Sequence, residues 1–328
     1  MAKIAITDGM ANDAVRALKK AGHKVIEQYL SEEELLNGAL IDFDAVIVRS
    51  ATKLTKPIIE ANLGKLRVIG RAGVGVDNID LESAGENGIT VVNAPRASTQ
   101  SVVELTMAHL LSSVRHLPKS DRSMRQSKWE KKSLKGTELS GKSLGLIGFG
   151  RIAQGVGNIA QAIGMTVHTY DPYLPPKIAK SQNTRLHKNV DTLFSSCTHI
   201  SIHCNLNEET SHLVNLARMK MMPGESVNGV KCGNHIINCA RGGIINEEDL
   251  LTALDEGIIA SAALDVFEIE PVSKGNKLVQ HPNFHSTPHI GAATVEAQKR
   301  VGLDIVRNIM TILSGKKSEF VVNKQYLK

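Results

Sequence analysis

Aromatic residues are scarce in this chain: one Trp, four Tyr and six Phe make up 3% of 328 residues. Proteins that hold single-stranded nucleic acid stack bases on aromatic platforms set among clustered cations. The net charge of +6 is therefore a poor pointer to nucleic acid, since the basic residues are scattered. The densest run, Lys128-Trp-Glu-Lys-Lys-Ser-Leu-Lys135, reads first as a solvated surface turn. Long apolar runs are also missing: none approaches the ~18 residues that cross a bilayer. The opening Met1-Ala-Lys-Ile-Ala-Ile-Thr-Asp8 enters a strand-like pattern without signal-peptide architecture. A cytoplasmic protein with no membrane or nucleic-acid partner is expected. Cysteine is sparse too. Cys197, Cys204, Cys232 and Cys239 form no C-x-x-C pair and have no zinc-ligand spacing to histidine, so reduced thiols and no metal are expected.

What is present is a chain long enough for two domains, with an ordinary 42% hydrophobic content. Its most informative stretch runs from Ser143 to Asp171. Leu144 to Ile147 is a short apolar run with glycine beside it, which reads as a buried strand. Gly148 and Gly150 fill the first two places of G-x-G-x-x-G/A, and Ala153 the third. Gly148 permits a tight turn, Gly150 removes the Cβ that would meet a pyrophosphate, and Ala153 lets the next helix pack closely on the strand. That helix, Arg151 to Ile163, would turn its N-terminal N–H groups toward phosphate. Asp171 ends a second strand about 20 residues on, where a carboxylate accepts ribose hydroxyls. Pro172 and Tyr173 follow, with no cation for a 2′-phosphate, so the sequence favours NAD over NADP.

The first ninety residues alternate strand and helix without a dinucleotide fingerprint. Strands are expected at Lys3 to Thr7, Lys24 to Glu27, Asp44 to Arg49, Arg67 to Arg71 and Ile89 to Val92. Ser31-Glu-Glu-Glu34 is a capping-box helix start, and Pro57 suits a first helical turn. One long helix is expected from Ser98 to His116. Further strands follow at His199 to His203, His235 to Asn238 and Ser261 to Val266, then a long helix from Thr294 to Leu313. A fingerprint in mid-chain implies that the C-terminus returns to the first domain. The expected fold is α/β with two doubly wound parallel-sheet domains and a cleft between them. A Rossmann NAD domain, residues 96–286, is inserted in a flavodoxin-like substrate domain, residues 1–95 and 287–328.

Unusual residues gather at strand ends, where open α/β sheets bind ligands. They are Asn238-Cys-Ala-Arg241-Gly-Gly, Asp265-Val-Phe-Glu-Ile-Glu270-Pro, Thr287-Pro-His289-Ile-Gly-Ala292 and, in the first domain, Arg71-Ala-Gly-Val-Gly-Val-Asp77. With Val48-Arg-Ser-Ala-Thr-Lys53, Gly136-Thr-Glu-Leu-Ser-Gly141 and Ala262-Ala-Leu-Asp-Val-Phe267, they resemble the D-isomer-specific 2-hydroxyacid dehydrogenases along nearly the whole chain. The branch that oxidises D-3-phosphoglycerate to 3-phosphohydroxypyruvate, at the entry to serine synthesis, is the most similar. On that resemblance a short form, without the regulatory C-terminal domain of longer relatives, is expected.

The resemblance implies a catalytic set. Arg241 would clamp the substrate carboxylate with its planar fork. His289 would be the general acid/base, and Glu270 would orient its ring. It also implies NAD contacts from Val74, Gly148, Gly150, Arg151, Ile152, Asp171, Cys204, Cys239, Ala240, Arg241 and Asp265, the last holding the carboxamide. His289, Ile290, Gly291 and Ala292 would form the far wall. The phosphorylated end of the substrate would meet Arg49, Lys53, Arg71, Gly73 and Val74, with Lys131 reaching across a homodimer formed through the NAD domain. The helix Ser98 to His116 and the Trp129 segment would supply that interface. His199, His203, His281 and His285 match no role and read as structural.

Three departures from the family pattern stand out. Asn93-Ala-Pro-Arg96 replaces the usual Asn-Thr-Pro-Asn, no proline follows Cys204, and Met222 to His235 is longer than the usual turn, which predicts a mobile surface loop. Two rival readings use the same fold: reduction of glyoxylate, hydroxypyruvate or another 2-oxo acid, and an NAD-sensing corepressor scaffold. Arg49 with Lys53 argues against the scaffold.

Overall fold

The computed structural model describes residues 1–327 and divides into two compact units: Met1–Thr99 together with the chain from Ala292 onward, and Gln100–Gly291. Both are α/β. Each strand of the first unit is only four residues long, and all but the edge strand Lys24–Glu27 are nearly wholly buried, the apolar pattern of parallel strands covered on both faces. These strands are β1 (Lys3–Ile6), β2 (Lys24–Glu27), β3 (Ala45–Val48), β4 (Val68–Arg71) and β5 (Thr90–Asn93). They pair in parallel in the order β2-β1-β3-β4-β5, the flavodoxin-like arrangement. β2 lies at the edge and carries exposed Lys24 and Glu27, which discourage pairing with another chain.

The C-terminal helix Val295–Leu313 packs on this sheet. Val301, Ile305, Val306 and Ile309 recur at helical spacing and are buried. A Cβ at Gly70 of β4 would lie 2.6 Å from Ile309 Cδ1, so the glycine is what allows helix and strand to approach. Burying each of these four side chains is worth roughly 1.5–3 kcal/mol, which explains why the distant segment returns here. The capping box at Ser31 is formed, Ser31 Oγ accepting from Glu34 N–H while Glu34 accepts from Ser31 N–H.

The second unit holds β6 (Ser143–Ile147), β7 (Thr166–Tyr170), β8 (Arg185–His187), β9 (His199–Ile202), β10 (His235–Asn238), β11 (Ser261–Leu264) and β12 (Phe284–Ser286). Their order is β12-β11-β10-β9-β6-β7-β8, all parallel. Counted from β6 this is the Rossmann order 3-2-1-4-5-6 with one strand added, and the winding reverses between β6 and β9.

Several local expectations need correction. The long helix ends at Val114, followed by a second helix, Leu117–Arg125. His116 between them adopts φ 51°, and Pro118 in the next first turn has no N–H to continue a helix. The helix Leu81–Glu86 and the edge strands β8 and β12 are additional elements, too short and too polar to leave a clear periodicity in the sequence. Met222 to His235 is not a loose loop. Buried Asn234 accepts from Gly224 N–H at 2.7 Å and donates to Ile258 O at 3.0 Å, and Glu225 bridges Lys231 in antiparallel fashion. No helix among the described residues is long and apolar enough to cross a membrane.

Candidate active site

The switch point of the second sheet carries the glycine fingerprint. Gly148 has φ +84°, and a Cβ there would lie 3.0 Å from Cys204 N and from the His203 carbonyl. Only glycine lets the turn after β6 sit so close to the end of β9. Gly150 caps the helix Arg151–Ala162 without a side-chain hydrogen bond, and a Cβ there would meet nothing within 4 Å. That open space in front of a helix N-terminus fits the approach of a pyrophosphate. Asp171 follows β7 beside it, accepting from Phe149 N–H at 2.9 Å and Tyr173 N–H at 3.0 Å. A carboxylate has about four acceptor positions, so two bonds leave room for ribose hydroxyls.

At the ends of β10 and β11 the loops interlock. Buried Asn238 accepts from Ala240 N–H at 2.9 Å and donates to Arg241 O at 2.8 Å, folding the chain so that Arg241 leaves the strand at a fixed point. A Cβ at Gly242 would sit 1.8 Å from the Phe267 carbonyl oxygen. Glycine thus brings the Arg241 loop against the segment that ends in Glu270. Gly242→Ala is expected to cost about 1–3 kcal/mol and most of the activity. Calorimetry showing an unchanged melting temperature would contradict the contact.

His289 Nδ1 lies 2.7 Å from Glu270 Oε2, and Glu270 Oε1 accepts from Phe267 N–H at 2.9 Å. An ionised carboxylate only accepts, so Nδ1 carries the hydrogen and Nε2 is left to take or give a proton. The imidazole is 45% exposed, open enough to meet a substrate. His289 has φ 52°, an unusual conformation for a residue with a side chain. Its N–H donates to Asp265 O at 2.8 Å and to Thr287 O at 3.0 Å.

Asp265 is 1% exposed, and its carboxylate is taken up by protein donors. It accepts from Thr287 Oγ1 at 2.6 Å and from the N–H groups of Ile290 and Gly291, each at 2.8 Å. In this arrangement the acid pins the His289 loop at the place implied for the carboxamide. Ile290 is 40% exposed beside it.

In the first unit, residues implied for substrate follow the C-terminal ends of β3 and β4. Arg49 donates its N–H to Asp8 Oδ2 at 2.6 Å, and Asn78 Nδ2 bridges Arg49 O and Thr52 O. Lys53 is exposed. Arg71 lies over Gly73: a Cβ on Gly73 would overlap its guanidinium, 1.5 Å from Nη1. Asn93 Nδ2 donates to Val74 O at 2.6 Å, so Arg71, Gly73 and Val74 are brought together. Lys131 stands on an exposed turn of the second unit, in a stretch where Trp129 is 79% exposed.

Comparison with known proteins now adds to the geometry. The model of the D-isomer specific 2-hydroxyacid dehydrogenase NAD binding domain matches residues 107–291. The chain belongs to the D-isomer specific 2-hydroxyacid dehydrogenases. It is 44% identical to D-3-phosphoglycerate dehydrogenase of Methanocaldococcus jannaschii over 98% of this chain and 60% of that one. It is 42% identical to hydroxypyruvate reductase of Thermotoga maritima over 94% of this chain and 97% of that one. The crystal structure of the TT0316 protein from Thermus thermophilus superposes with a TM-score of 0.86 at 29% identity, covering 98% and 99% of the two chains. The chain spans 50% to 60% of the length of the first curated phosphoglycerate dehydrogenases it matches.

Two thiols, Cys204 and Cys239, lie near the cradle. Burial pushes Cys204 up to about 11 and Cys239 up to about 12, so both stay protonated near neutrality. Sequence reasoning missed two contributors, Asn238 behind Arg241 and Thr287 behind His289. Each adjoins a motif, but neither residue type betrays its partner.

Proposed function

We propose that this protein is an NAD-dependent D-2-hydroxyacid dehydrogenase whose substrate is D-3-phosphoglycerate, oxidised to 3-phosphohydroxypyruvate at the start of serine synthesis. The observation that carries the reading is the His289–Glu270 pair at 2.7 Å, on loops locked to the one that presents Arg241. Arg241 holds the substrate carboxylate and polarises the neighbouring oxygen. His289 Nε2 takes the hydroxyl proton during oxidation and returns it during reduction, while Glu270 keeps Nδ1 protonated and the ring in place. NAD, when bound, supplies the acceptor for the hydride from substrate C2. Gly148, Gly150, Arg151 and Ile152 cradle its pyrophosphate, and Asp171 takes the ribose and rejects a 2′-phosphate. Val74, Cys204, Cys239, Ala240, Ile290, Gly291 and Ala292 line the remainder. Arg49, Lys53 and Arg71 supply cations for the substrate phosphate. A homodimer forms through the second unit, Lys131 reaching the partner's substrate, and the enzyme works in the cytoplasm.

A second reading, reduction of hydroxypyruvate, is favoured by the 42% identity to the Thermotoga maritima reductase over nearly its full length. NADH oxidation with phosphohydroxypyruvate, hydroxypyruvate, glyoxylate and 2-oxoglutarate separates the two. Higher kcat/KM for phosphohydroxypyruvate supports the first; preference for hydroxypyruvate supports the second and leaves the proton chemistry intact. The cradle has its own test. Because a Cβ on Gly150 meets no protein atom, Gly150→Ala is expected to fold normally and weaken NADH binding about tenfold. Fluorescence titration showing unchanged affinity would place the pyrophosphate elsewhere.

A further inference from the structure

We infer that Thr287 and His109 are positioning residues for His289, acting through the buried carboxylate of Asp265; the inference rests on the reading of His289 as the acid/base. The three side chains form one hydrogen-bonded line within the second unit. Thr287 Oγ1 is 2.6 Å from Asp265 Oδ1, and His109 Nε2 is 3.0 Å from Thr287 Oγ1. The chemistry fixes the direction. Ionised Asp265 has no proton to give, so the threonine hydroxyl donates to it, and the same oxygen must accept from His109. His109 therefore carries its hydrogen on Nε2. It is 4% exposed on the helix Thr99–Val114, where burial pushes its pKa below the usual imidazole value.

The far end of the line is the catalytic loop. Asp265 Oδ1, the oxygen that Thr287 grips, also accepts from Ile290 N–H, the residue after His289. Asp265 Oδ2 accepts from Gly291 N–H, and the Asp265 carbonyl accepts from His289 N–H. His289 sits in a left-handed conformation between these anchors. Removing the hydroxyl leaves a buried charged oxygen short of a donor and the His109 N–H without its acceptor. The carboxylate then moves to find compensation, its hold on the two amides loosens, and the His289 ring drifts from its place against Glu270. A helix outside the loop thereby sets the angle of the acid/base.

Thr287→Val removes the hydroxyl at nearly constant volume, and Thr287→Ser restores it. The expected result is a fall in kcat of about tenfold for Thr287→Val with KM for NAD unchanged, since small displacements of reacting groups cost that much or more. Thr287→Ser should recover to within about twofold of wild type. Amide hydrogen exchange of the peptide spanning 287–292 should be faster in Thr287→Val and normal in Thr287→Ser. Because His109 acts through Thr287, His109→Phe should lower kcat alone but add nothing to Thr287→Val. Should Thr287→Val fail to fold, His109→Phe carries the same comparison. Wild-type kcat and exchange in Thr287→Val, or equal damage in both threonine variants, would overturn the inference. A His289→Gln enzyme as active as wild type would overturn the underlying reading instead, and exchange, which needs no turnover, would still decide whether the line holds the loop.

Discussion

His289→Gln is expected to lower kcat about a thousandfold while leaving NADH affinity close to wild type. General acid/base catalysis by a placed side chain contributes typically about 10²–10⁴-fold, and glutamine matches the size of histidine but cannot cycle a proton. Its amide can still donate to Glu270 Oε2, which lies 2.7 Å from the native ring, so the loop should keep its shape. Glu270→Gln is milder: the ring remains but is free to turn, and a loss of about tenfold to a hundredfold follows from misorientation. Steady-state kinetics beside NADH titrations check both. A His289→Gln enzyme within tenfold of wild type would remove this histidine from the proton path.

The second large effect concerns acid. Six histidines of the second unit lie in three ring pairs, and all but His285 of the six are buried. His168 Nδ1 and His187 Nε2 are 2.9 Å apart; the rings of His199 and His235 stack at 4.7 Å, and those of His109 and His285 lie at 5.1 Å. Burial, then the neighbouring imidazole, pushes His168 and His285 down to about 4. Burial likewise takes His235 to about 4 and His203 to about 3, and holds His199 well below its usual value. In the unfolded chain each titrates near 6.5. Above that value neither state binds the proton, and stability is intact. As pH falls from 6.5 towards 4 the unfolded state gains protons that the folded state refuses, so stability is lost through this window and the loss levels off below the folded values.

At pH 5 a ring held neutral costs up to about 2 kcal/mol, so the two well-buried rings His168 and His235 together account for roughly 4 kcal/mol. The melting temperature of this unit should drop on the order of 10 °C between pH 7 and pH 5. A melting temperature flat across that range would show that the pairs accept protons without strain.

Much of this architecture could be read from residues in order. Leu144 to Gly150 announced strand, turn and helix because glycine, apolar run and helix start all agree locally, and agreement among levels is what makes a segment legible. Arg241, Glu270 and His289 were legible by resemblance, as separate strand-end motifs. What joined them was not. The contact between Gly242 and the Phe267 carbonyl is a meeting of backbone segments 25 residues apart, and no pattern of side chains signals it. The line from His109 to Asp265 spans three elements for the same reason. The packed insertion around Asn234 carries no local signal of its order, because its bonds reach Ile258, outside the segment.

The proposed site makes one demand that a single measurement can meet. With the carboxylate on Arg241 and the hydroxyl on His289 Nε2, only one face of substrate C2 is turned to the cofactor, so only one enantiomer can react. NADH formation should be followed with wild-type enzyme, NAD and either D- or L-glycerate 3-phosphate. Steady NADH formation is expected with the D-isomer and none with the L-isomer. Comparable rates with both, or no NADH with either, would contradict it.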